Sequence, residues 1–135
     1  MLYIDSNVFI YPVIYDLNTI PEAARAKARL NEITSGSVRA FTSTLTWDEV
    51  TWVTRRLFGS EMAAAQGASF LKLPNLRLLR VDTGVISHAQ TLLEKYSLKP
   101  RDAIHAATAI RNGISKILSY DEDFDALPNL VRVTP

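Results

Sequence analysis

Apolar residues recur along this chain with two periods, one typical of strands and one typical of helices. Short apolar or alternating runs predict five strands, at residues 2–5, 38–42, 76–81, 117–119 and 130–133. Longer segments with apolar residues three or four apart predict helices, at residues 21–34, 45–58, 60–73, 82–96 and 102–111. The pattern assigns no element to residues 6–20.

Start and stop signals support several of these boundaries. Pro21 stands at the predicted first helical position, and Gly36 follows the end of that helix. Gly59 ends the next predicted helix, and Asp82 is a suitable N-cap for a later one. Gly113 follows the helix that Pro100 opens.

Helices between consecutive strands require crossover connections, which join parallel strands. The expected fold class is therefore α/β: an α/β/α sandwich with a short, mostly parallel central sheet of about five strands. Sheets of this kind bind ligands at the carboxyl ends of their strands, so polar residues at those positions are candidates for function.

Composition indicates an ordinary globular protein. The 135 residues are 47% apolar and 21% charged, and they predict one domain over residues 1–135. The absence of cysteine excludes disulfides and thiolate metal sites. No apolar stretch is long enough for a membrane helix and no signal peptide is apparent, so we expect a cytoplasmic protein. The net charge of +1 provides no overall basic field, so nucleic-acid binding would depend on local Lys and Arg residues.

Four acidic residues lie where apolar segments begin or end. Asp5 closes the first strand, Glu49 and Asp102 lie near the starts of helices, and Asp121 follows a strand. A carboxylate at the edge of a core is costly unless a partner compensates it. Together these acids predict one acidic pocket. Without a His or Cys cluster, such a pocket favours a hard cation, Mg²⁺ or Mn²⁺.

Structural roles are open for three of these acids. Glu49 forms a capping-box pattern with Thr46, in which the glutamate would bond back to the Thr46 amide. Asp102 in a first helical turn is favoured by the helix dipole. Asp121 is placed to cap a short turn that follows it.

Asp5 is the hardest of the four to explain structurally, because Asp is depleted in strands. The adjacent Ser6 and Asn7 offer a hydroxyl and an amide that would orient it or a metal-bound water. His105 lies one turn after Asp102, which makes a hydrogen bond to that carboxylate an open alternative to simple packing.

Other polar and aromatic residues give weaker signals. Trp47 and Trp52 lack the context of a base-stacking platform, so we expect them to pack in the core or an interface. The chain has no P-loop, dinucleotide-binding glycine motif, zinc-protease motif or serine-hydrolase motif. The carboxylates therefore remain the candidate chemistry.

Four segments in order resemble the PIN-domain ribonucleases, and within them the single-domain VapC-type toxins of bacterial and archaeal toxin–antitoxin pairs. They are Ile4-Asp5-Ser6-Asn7-Val8, Glu49 near the start of a mid-chain helix, Pro100-Arg101-Asp102-Ala103-Ile104-His105-Ala106-Ala107, and Leu118-Ser119-Tyr120-Asp121-Glu122-Asp123-Phe124. The resemblance covers the whole chain in length and in the order of elements. It implies a PIN-like sandwich and a metal-dependent endoribonuclease.

The resemblance also implies roles for particular residues. The metal-binding and catalytic set would be Asp5, Glu49, Asp102 and Asp121, with Asp123 as an auxiliary ligand of Mg²⁺ or Mn²⁺. Asn7 and Ser119 match polar positions that order the site in the family. Arg101 is the nearest basic residue in sequence for a contact to RNA phosphate. A VapB-like antitoxin and a second copy of the chain are the implied protein partners.

Alternative functions differ in class. A PIN-fold RNA-processing or structure-specific nuclease outside any toxin pair would have the same residues. A haloacid-dehalogenase-type phosphatase needs a second aspartate where Asn7 stands. A non-catalytic interaction module would have no reason to keep four mutually repelling carboxylates.

Overall fold

A computed structural model describes all 135 residues. The strands are β1 (Leu2–Ile4), β2 (Ala40–Ser43), β3 (Leu76–Leu79), β4 (Lys116–Leu118) and β5 (Val131–Val133). The helices are α1 (Ser6–Ile14), α2 (Pro21–Thr34), α3 (Thr44–Phe58), α4 (Ser60–Leu71), α5 (Thr83–Lys95) and α6 (Pro100–Arg111). A 3-10 helix covers Glu122–Ala126.

The five strands form one sheet in the order β3-β2-β1-β4-β5, and every pair is parallel. The expected mostly parallel sheet is confirmed, and it contains no antiparallel edge. Strand β1 lies at the centre, where Tyr3 is in register with Phe41 of β2 and Ile117 of β4. Because all strands run the same way, their carboxyl ends share one edge.

Alternate residues of the sheet enter two separate cores. Tyr3 and Ile117 pack on the face covered by α5 and α6. Ile4 and Leu118, the next residue in each strand, pack on the opposite face, which α1 to α4 cover. This alternation follows from the two-residue period of a strand. It confirms the α/β/α sandwich.

Helix α1 was not predicted. It begins directly after β1, and the Asp5 carboxylate at its N-cap accepts the backbone N–H of Ser6. Its residues continue the apolar run, with Val8 and Phe9 buried, and Pro12 stands inside the helix. A short apolar run that contains proline lacks a helical signature, so packing against the sheet decides its structure.

Other differences from the sequence pattern are small. Strand β3 ends at Leu79 rather than at residue 81, and β2 begins at Ala40 rather than at residue 38. Trp47 and Trp52 do not pack in the core, since they are 42% and 50% exposed, and their packing in an interface stays a prediction. None of the helices has the length and apolar character needed to cross a membrane.

Candidate active site

The four candidate acids lie at the carboxyl edge of the sheet. Asp5 ends β1 at the start of α1, and Asp121 follows β4 at the start of the 3-10 helix. Asp102 lies in the first turn of α6, and Glu49 lies on α3. A cleft of about 540 Å³ opens here, and its lining residues are Glu49, Lys99, Pro100, Arg101, Asp102 and Asp121.

Asp5 is the most enclosed of these acids, with 3% of its surface exposed. Its Oδ1 accepts the N–H of Ser6 at 2.7 Å, and its Oδ2 accepts the hydroxyl of Ser119 at 2.6 Å. The Asn7 amide donates to the same Ser119 hydroxyl oxygen at 3.1 Å. The structure therefore places Asn7 and Ser119 where they hold the Asp5 carboxylate in one orientation.

Glu49 belongs to the second turn of α3, because that helix starts at Thr44 directly after β2. The capping box with Thr46, which the sequence left open as an alternative, does not form. The Thr46 hydroxyl bonds instead to Thr42 at 2.7 Å. The Glu49 carboxylate turns into the site, where its Oε2 accepts the Ser6 hydroxyl at 3.0 Å. We call Asp5 and Glu49 the inner pair.

The remaining acids form an outer group, Asp102, Asp121 and Asp123, with one carboxylate oxygen from each within 4.8 Å of the others. Asp121 also caps the 3-10 helix, since its Oδ1 accepts the N–H of Asp123 at 3.0 Å. Asp121 is therefore both a cap, as one prediction had it, and a member of the acidic group. The Asp102 Oδ2 is buried and has no hydrogen-bond donor.

Lys99 was not singled out in the sequence. Its Nζ lies 3.8 Å from Asp121 Oδ2 and 3.5 Å from Asp123 Oδ2. The charges of Asp121, then Asp102 and Asp123, raise the pKa of Lys99. Its only sequence signal is its place one residue before Pro100 and Arg101, both of which line the same cleft.

Burial and nearby negative charge make two carboxyls of the site, Asp102 and Asp5, difficult to ionise. Burial raises the pKa of Asp102 to about 7, with further contributions from the charges of Asp121 and Asp5. Burial also raises the pKa of Asp5, although His105 and the Ser119 hydroxyl act in the opposite direction. A bound cation would favour the ionised form of such closely spaced carboxyl groups, because it neutralises their negative charge.

A divalent metal ion fits this arrangement. The donor set consists of carboxylate oxygens, which are the ligands that Mg²⁺ and Mn²⁺ prefer. The buried Asp102 Oδ2 lacks any donor from the protein, so it is available as a ligand. The ion would lie at the outer group, and the inner pair stands behind it.

His105 contacts the inner pair. Its Nε2 lies 2.5 Å from Glu49 Oε1 and 3.7 Å from Asp5 Oδ1. The alternative bond from His105 to Asp102 does not form, because the ring on helix α6 contacts Glu49 on α3 instead. Burial lowers the pKa of His105, but the bond to Glu49 and the nearby Asp5 charge outweigh that effect and raise it overall.

Comparison with known proteins now identifies the family. The PIN domain profile matches residues 2–130. The chain belongs to the PIN domain family. Among its relatives are a VapC ribonuclease of Mycobacterium bovis and ribonuclease VapC13 of Mycobacterium tuberculosis. Each is 26% identical over 136 residues, an alignment that covers 98% of this PIN domain chain and 99% of the relative.

Solved structures of similar fold include VapC and VapBC proteins. This PIN domain aligns with VapC20 of Mycobacterium tuberculosis, a sarcin–ricin loop cleaving toxin, at a TM-score of 0.75 and 20% identity over 100% of both chains. It aligns with VapBC2 of Rickettsia felis at a TM-score of 0.74 and 14% identity, covering 99% of this chain and 98% of that one. These likenesses support the PIN fold.

Proposed function

We propose that this chain is a metal-dependent endoribonuclease and the toxin of a VapBC-type toxin–antitoxin pair. The observation that carries the proposal is the acidic cleft that Glu49, Asp102 and Asp121 line, where Asp123 joins the outer group and the buried Asp102 Oδ2 has no donor. The choice of RNA as substrate is supported by the two full-length relatives named as VapC ribonucleases.

Phosphodiester hydrolysis requires an activated water and neutralisation of charge on the phosphate and the leaving oxygen. A bound Mg²⁺ or Mn²⁺ supplies both. Asp5, Glu49, Asp102 and Asp121 would hold the ion, with Asp123 as an auxiliary ligand. Mg²⁺ takes only one or two carboxylates directly, so some of these acids would act through ordered water.

The other residues of the cleft have distinct tasks. Ser6, Asn7 and Ser119 hold the inner pair in fixed orientations through the hydrogen bonds described above. Arg101, at the exposed rim of the cleft, would contact an RNA phosphate. Lys99 stands close enough to the outer group to contact the phosphate that reacts.

The mechanism is tested with purified protein and RNA. Cleavage should stop in EDTA and return with Mn²⁺. Asp121→Asn and Glu49→Gln should each lose most activity while staying folded, because only charge is removed. Asp48→Asn is the matched control, since Asp48 is the exposed neighbour of Glu49 on α3. Cleavage that persists unchanged in EDTA would rule out the metal mechanism.

The proposed antitoxin needs a docking surface, and the chain offers an apolar groove of about 520 Å³ between α1, α2, α3 and α4. Its lining includes Phe9, Val13, Leu30, Phe58, Met62 and Phe70. A similar fold, at a TM-score of 0.66 and 19% identity, occurs in a toxin–antitoxin complex of Klebsiella pneumoniae.

We expect expression of this chain alone to arrest growth, and co-expression with a VapB-like antitoxin to relieve the arrest. A chain that cleaves RNA but is harmless would favour the RNA-processing alternative.

We also propose that the toxin is a homodimer. Exposed apolar side chains lie along α3 and α4, among them Trp52, Leu57 and Leu71. Light scattering of the isolated chain should give twice the mass of 15.1 kDa. Trp52→Glu should shift it to the monomer if this surface forms the interface.

A further inference from the structure

A buried hydrogen-bonded chain leads from the centre of the sheet to Glu49. His105 has no exposed surface, and its Nε2 lies 2.5 Å from Glu49 Oε1. Its Nδ1 lies 2.8 Å from the hydroxyl of Tyr3, which is also fully buried. The Tyr3 and His105 rings meet edge to face, with their centres 5.7 Å apart. The metal-binding roles assigned above do not use either residue.

The chemistry of the partners fixes the direction of these bonds. An ionised Glu49 only accepts hydrogen bonds, so the His105 Nε2 must carry a proton and donate it. In the neutral ring Nδ1 is then an acceptor, and the Tyr3 hydroxyl is the donor within reach. If the ring is charged, Nδ1–H donates to the Tyr3 oxygen and Nε2–H still points at Glu49. Either way, Tyr3 keeps the ring turned toward Glu49.

Glu49 is therefore held from two sides. The His105 imidazole on α6 donates to Oε1, and the Ser6 hydroxyl on α1 donates to Oε2. Its side chain is only 12% exposed, so water competes little for these bonds. A glutamate has three side-chain torsions, and two donors from separate helices select one arrangement of them.

We propose that Tyr3 and His105 form a positioning unit that holds the Glu49 carboxylate in its metal-binding orientation. This inference rests on the proposed metal site. Hydrogen-bond partners behind a metal ligand typically change metal affinity about 10- to 100-fold when they are removed. Tyr3 would contribute through the His105 ring, at a distance from the ion.

The experiment measures Mn²⁺ affinity of the full chain by calorimetry, without RNA. His105→Leu should weaken Mn²⁺ binding about tenfold or more. His105→Gln should recover part of the loss, because its amide can still donate toward Glu49. Tyr3→Phe removes one hydroxyl and leaves the core shape intact, so it should fold and weaken binding by a smaller factor. His88→Leu, at the only other histidine, is the control and should bind as the wild type does.

A double-mutant cycle separates positioning from a general loss of structure. If Tyr3 acts through His105 on Glu49, adding Tyr3→Phe to Glu49→Gln should cause no further loss of affinity. Wild-type Mn²⁺ affinity in both Tyr3→Phe and His105→Leu would overturn the proposal, as would fully additive losses in the cycle. A protein that binds Mn²⁺ with the expected variant pattern but cleaves no RNA would refute the proposed function and leave this inference standing. A wild type that binds no Mn²⁺ would overturn both.

Discussion

Asp102 is a residue at which burial and the nearby negative charges of Asp121 and Asp5 act together against ionisation. An aspartate in an unfolded chain titrates near pH 3.9, whereas the pKa of Asp102 in the folded protein is about 7. Between these values the folded state binds more protons than the unfolded state, so stability decreases as the pH rises from about 4 to 7. In EDTA, the melting temperature of the wild type should therefore fall across this range.

The Asp102→Asn variant isolates this contribution, because it cannot titrate. Its melting temperature in EDTA should fall less between pH 5 and pH 7.5 than that of the wild type. Asp48→Asn, at an exposed position outside the cleft, should keep the wild-type slope. Parallel slopes for Asp102→Asn and the wild type would show that Asp102 does not carry the raised pKa.

Lys99 places a fixed positive charge beside the outer group, where it competes with a metal ion for Asp121 and Asp123. Lys99→Met should therefore tighten Mn²⁺ binding, by roughly twofold or more, as expected for an exposed ion pair. The same change should raise the KM for RNA, because the proposed phosphate contact would be lost. Lys95→Met, at an exposed lysine on α5, is the control for both measurements. Weaker Mn²⁺ binding in Lys99→Met would contradict the competition argument.

At the scale of elements, local signals account for most of the fold. Pro21, Gly59 and Asp82 mark helix ends within a few residues of themselves, and the structure confirms all three. Helix α1 lacked such a signal, because Asp5 reads as the end of a strand and Pro12 interrupts the run. Its helical state depends on packing between the sheet and α2, which is information that no local window contains.

The candidate site likewise has one part that could be predicted from the sequence and one part that could not. Acids at the ends of elements could be predicted to converge, because parallel strands bring their carboxyl ends to one edge. The pairing of His105 with Glu49 could not, because 56 residues separate them and the crossing of α6 over the sheet decides which carboxylate the ring meets. Lys99 and Tyr3 were missed for the same reason. Judged from the neighbouring sequence alone, Lys99 is a surface residue and Tyr3 is a core residue of a strand.

Asp5 is both the N-cap of helix α1 and a member of the inner pair. Substituting it therefore tests whether its cap or its buried charge has the larger effect on stability. Asp5→Asn keeps an amide oxygen that can accept the Ser6 N–H. The Ser119 hydroxyl loses its acceptor, because the new amide group cannot accept and the Ser119 oxygen already accepts from Asn7 and from the Asp121 N–H. The cap is retained, while a buried charge near Glu49 is removed. In EDTA this variant should melt at or above the wild-type temperature, as measured by circular dichroism.

Asp82→Asn provides the comparison, because Asp82 caps α5 by accepting the Val85 N–H and lies outside the acidic cleft. Asn and Asp cap helices about equally well, so this variant should melt close to the wild type with or without metal. A clear destabilisation of Asp5→Asn in EDTA, with none in Asp82→Asn, would mean that the Asp5 charge serves structure.

At the scale of the whole molecule, the proposed site joins four separate parts of the chain: the end of β1, helix α3, the start of α6 and the segment after β4. A ligand that binds only when these parts are assembled must stabilise the folded state by mass action. With free Mn²⁺ at 100 times its dissociation constant, the gain is about 2.7 kcal/mol. For a domain of this size that gain corresponds to a rise of roughly 8 °C in melting temperature.

Thermal melts with EDTA and with Mn²⁺ should show this rise for the wild type and for Asp48→Asn. Asp121→Asn should respond much less, because the outer group loses a ligand while the amide oxygen still caps the 3-10 helix. The response should also weaken at pH 6, since the ion must displace the proton that Asp102 holds below its pKa of about 7. An equal rise in all three proteins would place the ion elsewhere on the molecule, and no rise in any of them would remove the metal from the mechanism.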